Sequence, residues 1–221
     1  MNAIAENIKT TRQVIGKTAA AFGRKADDIC LVAVSKKQPE ERIESALAAG
    51  QRVFGENRVQ EAQERWTVLR PVYSDLKLHL IGPLQSNKAA DAVALFDYIQ
   101  TVDRQKIAKG LAEEMKKQDR SLPCMIQVNT GEEAQKTGIS PLDVPDFLQF
   151  CRDECGLHIT GLMCIPPFDE PAALHFALLK KLAGENGLPE LSMGMSSDFE
   201  KAIALGATHI RVGTGIFGER V

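Results

Sequence analysis

Short apolar runs alternate with longer amphipathic stretches along this chain, and the alternation repeats eight times. The apolar runs, read as candidate strands, are Cys30–Ser35, Arg52–Gly55, Leu76–Ile81, Tyr98–Val102, Pro123–Asn129, His158–Cys164, Glu190–Met193 and His209–Gly213. Strands that alternate with helices are typical of parallel sheets, because a parallel crossover needs a connection long enough to hold a helix. This pattern limits the chain to the α/β class.

The stretches between these runs have the periodicity of amphipathic helices. The predicted helices are an opening helix from about Ala3 to Phe22, then Pro39–Ala49, Arg58–Leu69, Asn87–Leu95, Arg104–Lys117, Leu142–Arg152, Glu170–Glu185 and Ser197–Leu205. Eight strands alternating with helices fit a TIM (β/α)8 barrel with an additional N-terminal helix better than an open doubly wound sheet. No linker or low-complexity segment interrupts residues 1–221, so we predict a single domain.

Composition argues against several functional classes. The 27 basic and 29 acidic residues leave a net charge of −2, which does not indicate nucleic acid or an anionic membrane surface as a partner. No segment approaches the ~20 apolar residues of a membrane span, and the N-terminus does not have the pattern of a secretory signal. We therefore expect a soluble protein that is not exported.

The cysteines point to the same compartment. None of them forms a CxxC pair of the kind found in zinc sites, so we expect no bound metal. We interpret them as buried free thiols, which favours a reducing, cytoplasmic setting. They are Cys30, Cys124, Cys151, Cys155 and Cys164.

Lys36 stands at the carboxyl end of the first strand, where the chemistry of such barrels takes place. A primary amine at this position, with a helix just beyond, can form a Schiff base with an aldehyde. Lys36 shares a strand face with Val32 and Val34, but both faces are apolar, so periodicity leaves open which face looks inward. The alternative is a lysine that reaches to solvent, and Lys37 fits that description.

The loops after the seventh and eighth strands carry the features of a phosphate site. Ser197 and Glu200 have the spacing of a capping box, Ser196 lies just before it, and a helix start offers free N–H groups to an anion. Gly213–Gly215, which includes Thr214, adds flexible backbone and a hydroxyl after the neighbouring strand. Either motif alone is common at helix starts and turns and would not indicate a ligand. The two motifs together, after these two strands, predict a bound phosphate.

Arg211 lies within the last strand, between Ile210 and Val212. If that aliphatic pair packs against helices, strand alternation points Arg211 into the barrel mouth. An isolated inward arginine would by default pair with a carboxylate. Because Arg211 lies beside the predicted phosphate loop and opposite Lys36, we expect it to face a ligand.

Five segments, in order along the chain, resemble one known family. They are Val34–Lys36, Phe54–Glu61, His79–Lys88, Leu191–Ser196 and Ile210–Thr214. Together they resemble the pyridoxal phosphate homeostasis proteins, a family similar to the N-terminal barrel of bacterial alanine racemase. The resemblance extends from about Leu31 to Arg220, nearly the whole chain.

The resemblance implies pyridoxal 5'-phosphate (PLP) as the cofactor. It implies that Lys36 carries PLP as an internal aldimine. The family's three phosphate-binding positions correspond to Ser196, Gly213 and Thr214. Asn57 corresponds to the asparagine beside the cofactor ring, and Arg211 to the arginine near the pyridine nitrogen. The pair Lys37–Gln38 departs from the Thr–Lys pair of many relatives, which changes the loop but not the aldimine lysine.

Arg211 also bears on the expected activity. A permanently charged arginine disfavours a proton on the pyridine nitrogen and weakens the ring as an electron sink. In alanine racemase a tyrosine from a C-terminal domain supplies the second acid/base, whereas this chain ends at Val221, and neither Tyr73 nor Tyr98 is an obvious substitute. We therefore predict a protein that holds PLP and buffers or delivers it, with little or no catalysis.

The predicted partners are PLP itself and apo PLP-dependent enzymes as acceptors, and we expect a monomer. Two other functions remain open from the sequence. One is a PLP-dependent amino-acid racemase or lyase. The other is a cofactor-free Schiff-base aldolase that acts on a sugar phosphate, because it would use the same lysine and the same phosphate loops.

Overall fold

The structure is a computed structural model that describes residues 3–219. Four residues lie outside this range: Met1 and Asn2, at the N-terminus predicted to lack a secretory signal, and Arg220 and Val221, at the ends of the family resemblance and of the predicted domain. The strands are β1 (Cys30–Val34), β2 (Val53–Glu56), β3 (Lys77–Leu80), β4 (Tyr98–Val102), β5 (Cys124–Gln127), β6 (Ile159–Met163), β7 (Glu190–Met195) and β8 (His209–Val212). Each predicted strand coincides with one of these to within two residues at either end.

The strands form a closed barrel in sequence order, with every neighbouring pair parallel, so the predicted TIM-barrel fold is confirmed. The β1–β8 pairing closes it, with Val32 opposite Arg211. The helices are α1 (Ala3–Ala21), α2 (Glu40–Ala48), α3 (Val59–Leu69), α4 (Ala89–Leu95), α5 (Gln105–Lys117), α6 (Val144–Gln149), α7 (Ala172–Glu185), α8 (Phe199–Ala204) and α9 (Thr214–Phe217).

The segment predicted as one helix from Leu142 to Arg152 is instead divided. A 3-10 turn at Pro141–Asp143 leads into α6, and a π-helical turn at Phe150–Glu154 follows it. Pro145 explains the start of α6, because proline has no N–H to donate and is tolerated only in the first helical turn.

The main hydrophobic core lies between the barrel and the surrounding helices. Leu31 and Ala33 of β1 belong to it, as do Phe54 and Trp66, whose ring centroids are 4.8 Å apart. The barrel interior holds a separate small cluster of Tyr98, Met125 and Met163.

The inward face of β1 is the one that carries Val32. Leu31 and Ala33 belong to the core between the barrel and the helices, whereas Val32 does not. A Cβ added to Gly55, which alternates with the core residue Phe54, would lie only 2.9 Å from Cγ1 of Val32. Because side chains alternate along a strand, Val34 and Lys36 follow Val32 toward the barrel interior and its mouth. The sequence alone could not decide this point.

The cysteines are less uniformly buried than predicted. All five are free thiols, but only Cys124, Cys151 and Cys164 are buried, whereas Cys30 and Cys155 are half-buried. Separately, none of the helices within residues 3–219 is long and apolar enough to cross a membrane.

Candidate functional site

A cavity of about 300 Å³ opens at the carboxyl ends of the barrel strands. All six residues predicted as site residues line it: Lys36, Asn57, Ser196, Arg211, Gly213 and Thr214. A larger cavity of about 710 Å³ lies against α5 and the segment before β6. It is at the amino-terminal end of the barrel, the end that stabilises such folds rather than the end that carries their chemistry.

Lys36 follows β1 in a tight turn. The N–H of Gln38 donates to the carbonyl oxygen of Ser35 at 3.1 Å, and Lys37 takes a left-handed conformation with φ of 57°. Lys36 is half-buried and lines the cavity, whereas Lys37 is exposed, as predicted. The turn therefore separates two adjacent lysines into one that faces the cavity and one that faces solvent.

A buried carboxylate supports this turn from behind. Oε1 of Glu56 accepts from Ser35 Oγ at 2.7 Å, from Arg65 Nη1 at 2.9 Å and from Trp66 Nε1 at 3.1 Å. Burial raises the pKa of Glu56, while the hydrogen bonds from Ser35 and Trp66 and the charge of Arg65 lower it. Sequence reasoning gave Glu56 no role, although strand alternation from Asn57 would have placed it on the opposite, outward face.

Arg211 points into the barrel interior, as strand alternation predicted, and is only 4% exposed. Its Nη1 donates to Ser192 Oγ at 2.6 Å, and its Nη2 donates to the carbonyl oxygen of Cys164 at 2.8 Å. Among the described residues, no carboxylate lies within 4 Å of the guanidinium. Burial lowers the pKa of Arg211, while the charges of Cys164 and Asp198 act in the opposite direction. The guanidinium is hydrogen-bonded to neutral acceptors and not to the carboxylate partner expected by default.

The capping box predicted for Ser197 and Glu200 is wrong. Helix α8 begins at Phe199 with Asp198 as its N-cap, and Asp198 Oδ1 accepts from the N–H of Met195 at 2.6 Å. The Asp198 side chain thus folds back onto the end of β7. With only six residues, α8 also has a smaller dipole than the predicted nine-residue helix would have had.

The loops after β7 and β8 are joined by a hydrogen bond. The N–H of Gly215 donates to Ser196 Oγ at 3.2 Å. The segment read as a flexible turn is in fact the short helix α9, which starts at Thr214, and Gly213 has an ordinary φ of −107°. Since Ser196 Oγ accepts from Gly215, its own proton is available to donate to a ligand.

Asn57 has a buried acceptor without a donor. Within residues 3–219 nothing donates to its Oδ1, although that atom is shielded from solvent. Gly82, in the loop after β3, passes so close that an added Cβ would lie 2.3 Å from the Asn57 carbonyl oxygen. Glycine at this position therefore lets the loops after β2 and β3 meet at the cavity wall.

The sequence did not predict the other cavity-lining residues as site residues, although it had placed Val34 on the strand face of Lys36 and Ser197 in the phosphate loop. They are Val34, Ile81, Ile165, Met195 and Ser197, most of them apolar. Each lies within two residues of the carboxyl end of a strand, and that position could have identified them. Ile165 and Met195 leave 39% and 37% of their surface exposed, so the cavity has an apolar lip.

Comparison with known proteins agrees with this geometry. The family model for the alanine racemase N-terminal domain matches residues 1–221. A protein of Pseudomonas aeruginosa named pyridoxal phosphate homeostasis protein is 42% identical over 225 residues, which cover 100% of this chain and 97% of that one.

Solved structures give the same result. PipY of Synechococcus elongatus has a TM-score of 0.87 without PLP, at 40% identity, and of 0.83 with PLP bound, at 39% identity. Each comparison covers 97% of this chain and 100% of the PipY chain. The resemblance found in the five sequence motifs is therefore confirmed, and the chain belongs to the alanine racemase N-terminal domain family and, within it, to the pyridoxal phosphate homeostasis proteins.

Proposed function

We propose that this chain binds PLP through Lys36 and takes part in PLP homeostasis, holding the reactive aldehyde and buffering or delivering it. The observation that carries the proposal is the cavity of about 300 Å³, which brings together all six residues that the family resemblance implies. The PLP-bound structure of PipY, 39% identical to this chain, supports the identity of the ligand.

The residues at the cavity fit an anionic aromatic ligand with hydrogen-bonding substituents. Arg211 brings a buried positive charge that no carboxylate of residues 3–219 neutralises within 4 Å. Asn57 brings a buried oxygen that no group in the same residues satisfies. The buried charge of Arg211 and the unsatisfied oxygen of Asn57 destabilise the ligand-free protein. A ligand with complementary groups would turn both into favourable contacts.

Each residue has a distinct expected contact. Bound PLP supplies an aldehyde that condenses reversibly with a primary amine, and Lys36 is the amine that lines the cavity. The proposed phosphate contacts are Ser196, Thr214 and the backbone at Gly213, which all line the same cavity. Arg211, which lines the same cavity, is the proposed partner of the pyridine nitrogen, where its permanent charge would disfavour protonation.

The ionisable groups at the cavity support low turnover. Among the lining residues, only Lys36 and Arg211 carry ionisable side chains, and a racemase needs a second acid/base on the opposite face of the cofactor. The Tyr98 hydroxyl lies at the amino-terminal end of the barrel, hydrogen-bonded to Glu190 and Thr160, and burial raises its pKa.

We further propose that the chain acts as a monomer with one PLP-binding domain over residues 1–221. Apo PLP-dependent enzymes in the cytoplasm are the proposed acceptors. The five free thiols support a reducing compartment.

Covalent trapping tests the proposed ligand and its attachment. Protein mixed with PLP should turn yellow, and borohydride reduction followed by peptide mass spectrometry should find a pyridoxyl group on Lys36. Lys36→Ala should abolish the adduct. Lys37→Asn is the matched control, because Asn tolerates the left-handed conformation of this exposed lysine and should leave the adduct unchanged.

A wild-type protein that stays colourless and takes up no PLP would overturn the proposal. Two further measurements address function. Transfer to an apo-enzyme, with and without a trap for free aldehyde, separates direct delivery from release into solution. Exchange of the α-proton of free amino acids in deuterated water, if it is fast and lost in Lys36→Ala, would identify a racemase or lyase instead.

A further inference from the structure

A chain of buried hydrogen bonds crosses the barrel interior beneath the cavity. Arg211 Nη1 lies 2.6 Å from Ser192 Oγ, Ser192 Oγ lies 2.6 Å from Gln100 Oε1, and Gln100 Nε2 lies 2.9 Å from His79 Nδ1. The four residues come from β8, β7, β4 and β3, and none is more than 5% exposed.

The direction of this chain is determined by its first member. A guanidinium can only donate, so Ser192 Oγ accepts from Arg211 and gives its single proton to Gln100. The Gln100 atom that receives this proton must be the amide oxygen, which turns the NH₂ group toward His79. His79 Nδ1 must then accept, so the imidazole is neutral and carries its proton on Nε2.

The surroundings of His79 agree with a neutral ring. Its ring centroid lies 4.9 Å from that of Tyr98 and 5.8 Å from that of His209. Burial lowers the pKa of His79 to about 3, and the charges of His209 and Lys77 act in the same direction. Protonation at Nδ1 would also place two donors face to face at Gln100.

We propose that Ser192 and Gln100 are positioning residues, which orient the Arg211 guanidinium toward the ligand without neutralising it, and that neutral His79 ends the chain. Every acceptor for Arg211 is uncharged: the Ser192 hydroxyl and the Cys164 carbonyl. A carboxylate in either place would compensate the charge inside the protein. This inference rests on the proposed function, in which Arg211 keeps the pyridine nitrogen of PLP unprotonated.

The first test uses the ligand-free protein, so it does not depend on PLP. Nitrogen-15 NMR of labelled histidine should show His79 neutral at pH 7, with Nδ1 unprotonated and Nε2 protonated. A His79 with a proton on Nδ1 would overturn the direction of the chain. In Gln100→Leu the Nδ1 resonance should shift, because its donor is lost.

The second test follows the pyridine nitrogen in protein loaded with nitrogen-15-labelled PLP. Ser192→Ala and Gln100→Leu should raise the pH midpoint for protonation of that nitrogen by at least about one unit, which is a tenfold gain in proton affinity. Gln51→Leu is the matched control, because Gln51 is also a buried glutamine, with its amide on the carbonyl oxygens of Leu31 and Val53.

Gln51→Leu should lose stability without moving the midpoint. An unchanged midpoint in Ser192→Ala would overturn the proposal, as would an equal shift in Gln51→Leu. Ser192→Ala removes a single oxygen and is the variant to use if Gln100→Leu does not fold. A wild-type protein that binds no PLP would refute the proposed function, while the ligand-free NMR test would still report on the chain.

Discussion

His79 is the residue whose burial has the clearest consequence for stability. It lies inside the barrel and is 5% exposed, with Gln100 and Tyr98 facing it from β4, His209 from β8 and Lys77 on its own strand. An ordinary histidine titrates near pH 6.5, whereas burial lowers the pKa of this one to about 3. The folded state therefore binds fewer protons than the unfolded state between these two values.

We expect this residue to make the protein less stable in mild acid. Stability from neutral His79 is fully present above about pH 6.5 and is lost as the pH falls toward 3, because only the unfolded chain takes up the proton. Between pH 7 and pH 5 the loss should be about 2 kcal/mol. Urea denaturation of the wild type and of His79→Asn, which keeps an acceptor for Gln100, should show a flatter pH dependence in the variant; parallel curves would contradict this.

The turn after β1 is the element on which the site depends most. Arg65 of α3 pairs with buried Glu56 at 2.9 Å and also donates to the carbonyl oxygen of Gln38 at 2.9 Å. Ser35 is tied to the same carboxylate. The turn that presents Lys36 is thus fastened at both ends by one ion pair.

Arg65→Met should therefore destabilise both the fold and the site. It leaves the Glu56 carboxylate buried without its counter-charge, so the free energy of unfolding should fall by about 3–5 kcal/mol, and PLP should dissociate faster. Chemical denaturation and the rate of PLP loss measure the two effects. Arg58→Met is the control for stability, because the Arg58–Glu61 pair is exposed and worth less than about 1 kcal/mol; an equal loss in both variants would contradict the prediction.

At the scale of the whole molecule, closure of the barrel brings the first and the last strand together. The pairing of β1 with β8 aligns Val32 with Arg211, so the turn that carries Lys36 lies next to the loop that follows β8. Helix α1 packs against α2, α8 and α9, and Asn7 Nδ2 donates to the carbonyl oxygen of Ile216 at 2.9 Å. The additional N-terminal helix thus supports the segment that carries Thr214.

Truncating the buried face of α1 should weaken the whole fold. Ile8 is 2% exposed, and Ile8→Ala should lower the free energy of unfolding by about 2–5 kcal/mol through lost burial and a residual cavity. Thr10→Ala, on the exposed side of the same helix, should change it by less than about 0.5 kcal/mol. Denaturant unfolding measures both, and a wild-type value for Ile8→Ala would show that α1 is not part of the cooperative unit.

Local sequence features predicted most of the strands and helices correctly. They gave wrong helix boundaries where two local signals compete or where a helix is very short. The eight strands followed from apolar runs, because a buried parallel strand needs such a run at its own position. The start of α8 was misplaced because Ser197 and Asp198 are both good N-caps, and contact with β7 selected Asp198. Helix α9 was missed because its four residues are too few to show a helical period.

By itself, the sequence determined the number of strands and the family, and it identified six of the eleven residues that line the cavity. These depend on periodicity and on motifs, which are local properties of the chain. Only the tertiary structure decided that the Val32 face of β1 looks inward, because both faces of a buried parallel strand are apolar. It alone also joined Arg211 to Ser192, Gln100 and His79, since residues on four separate strands meet only when the barrel closes.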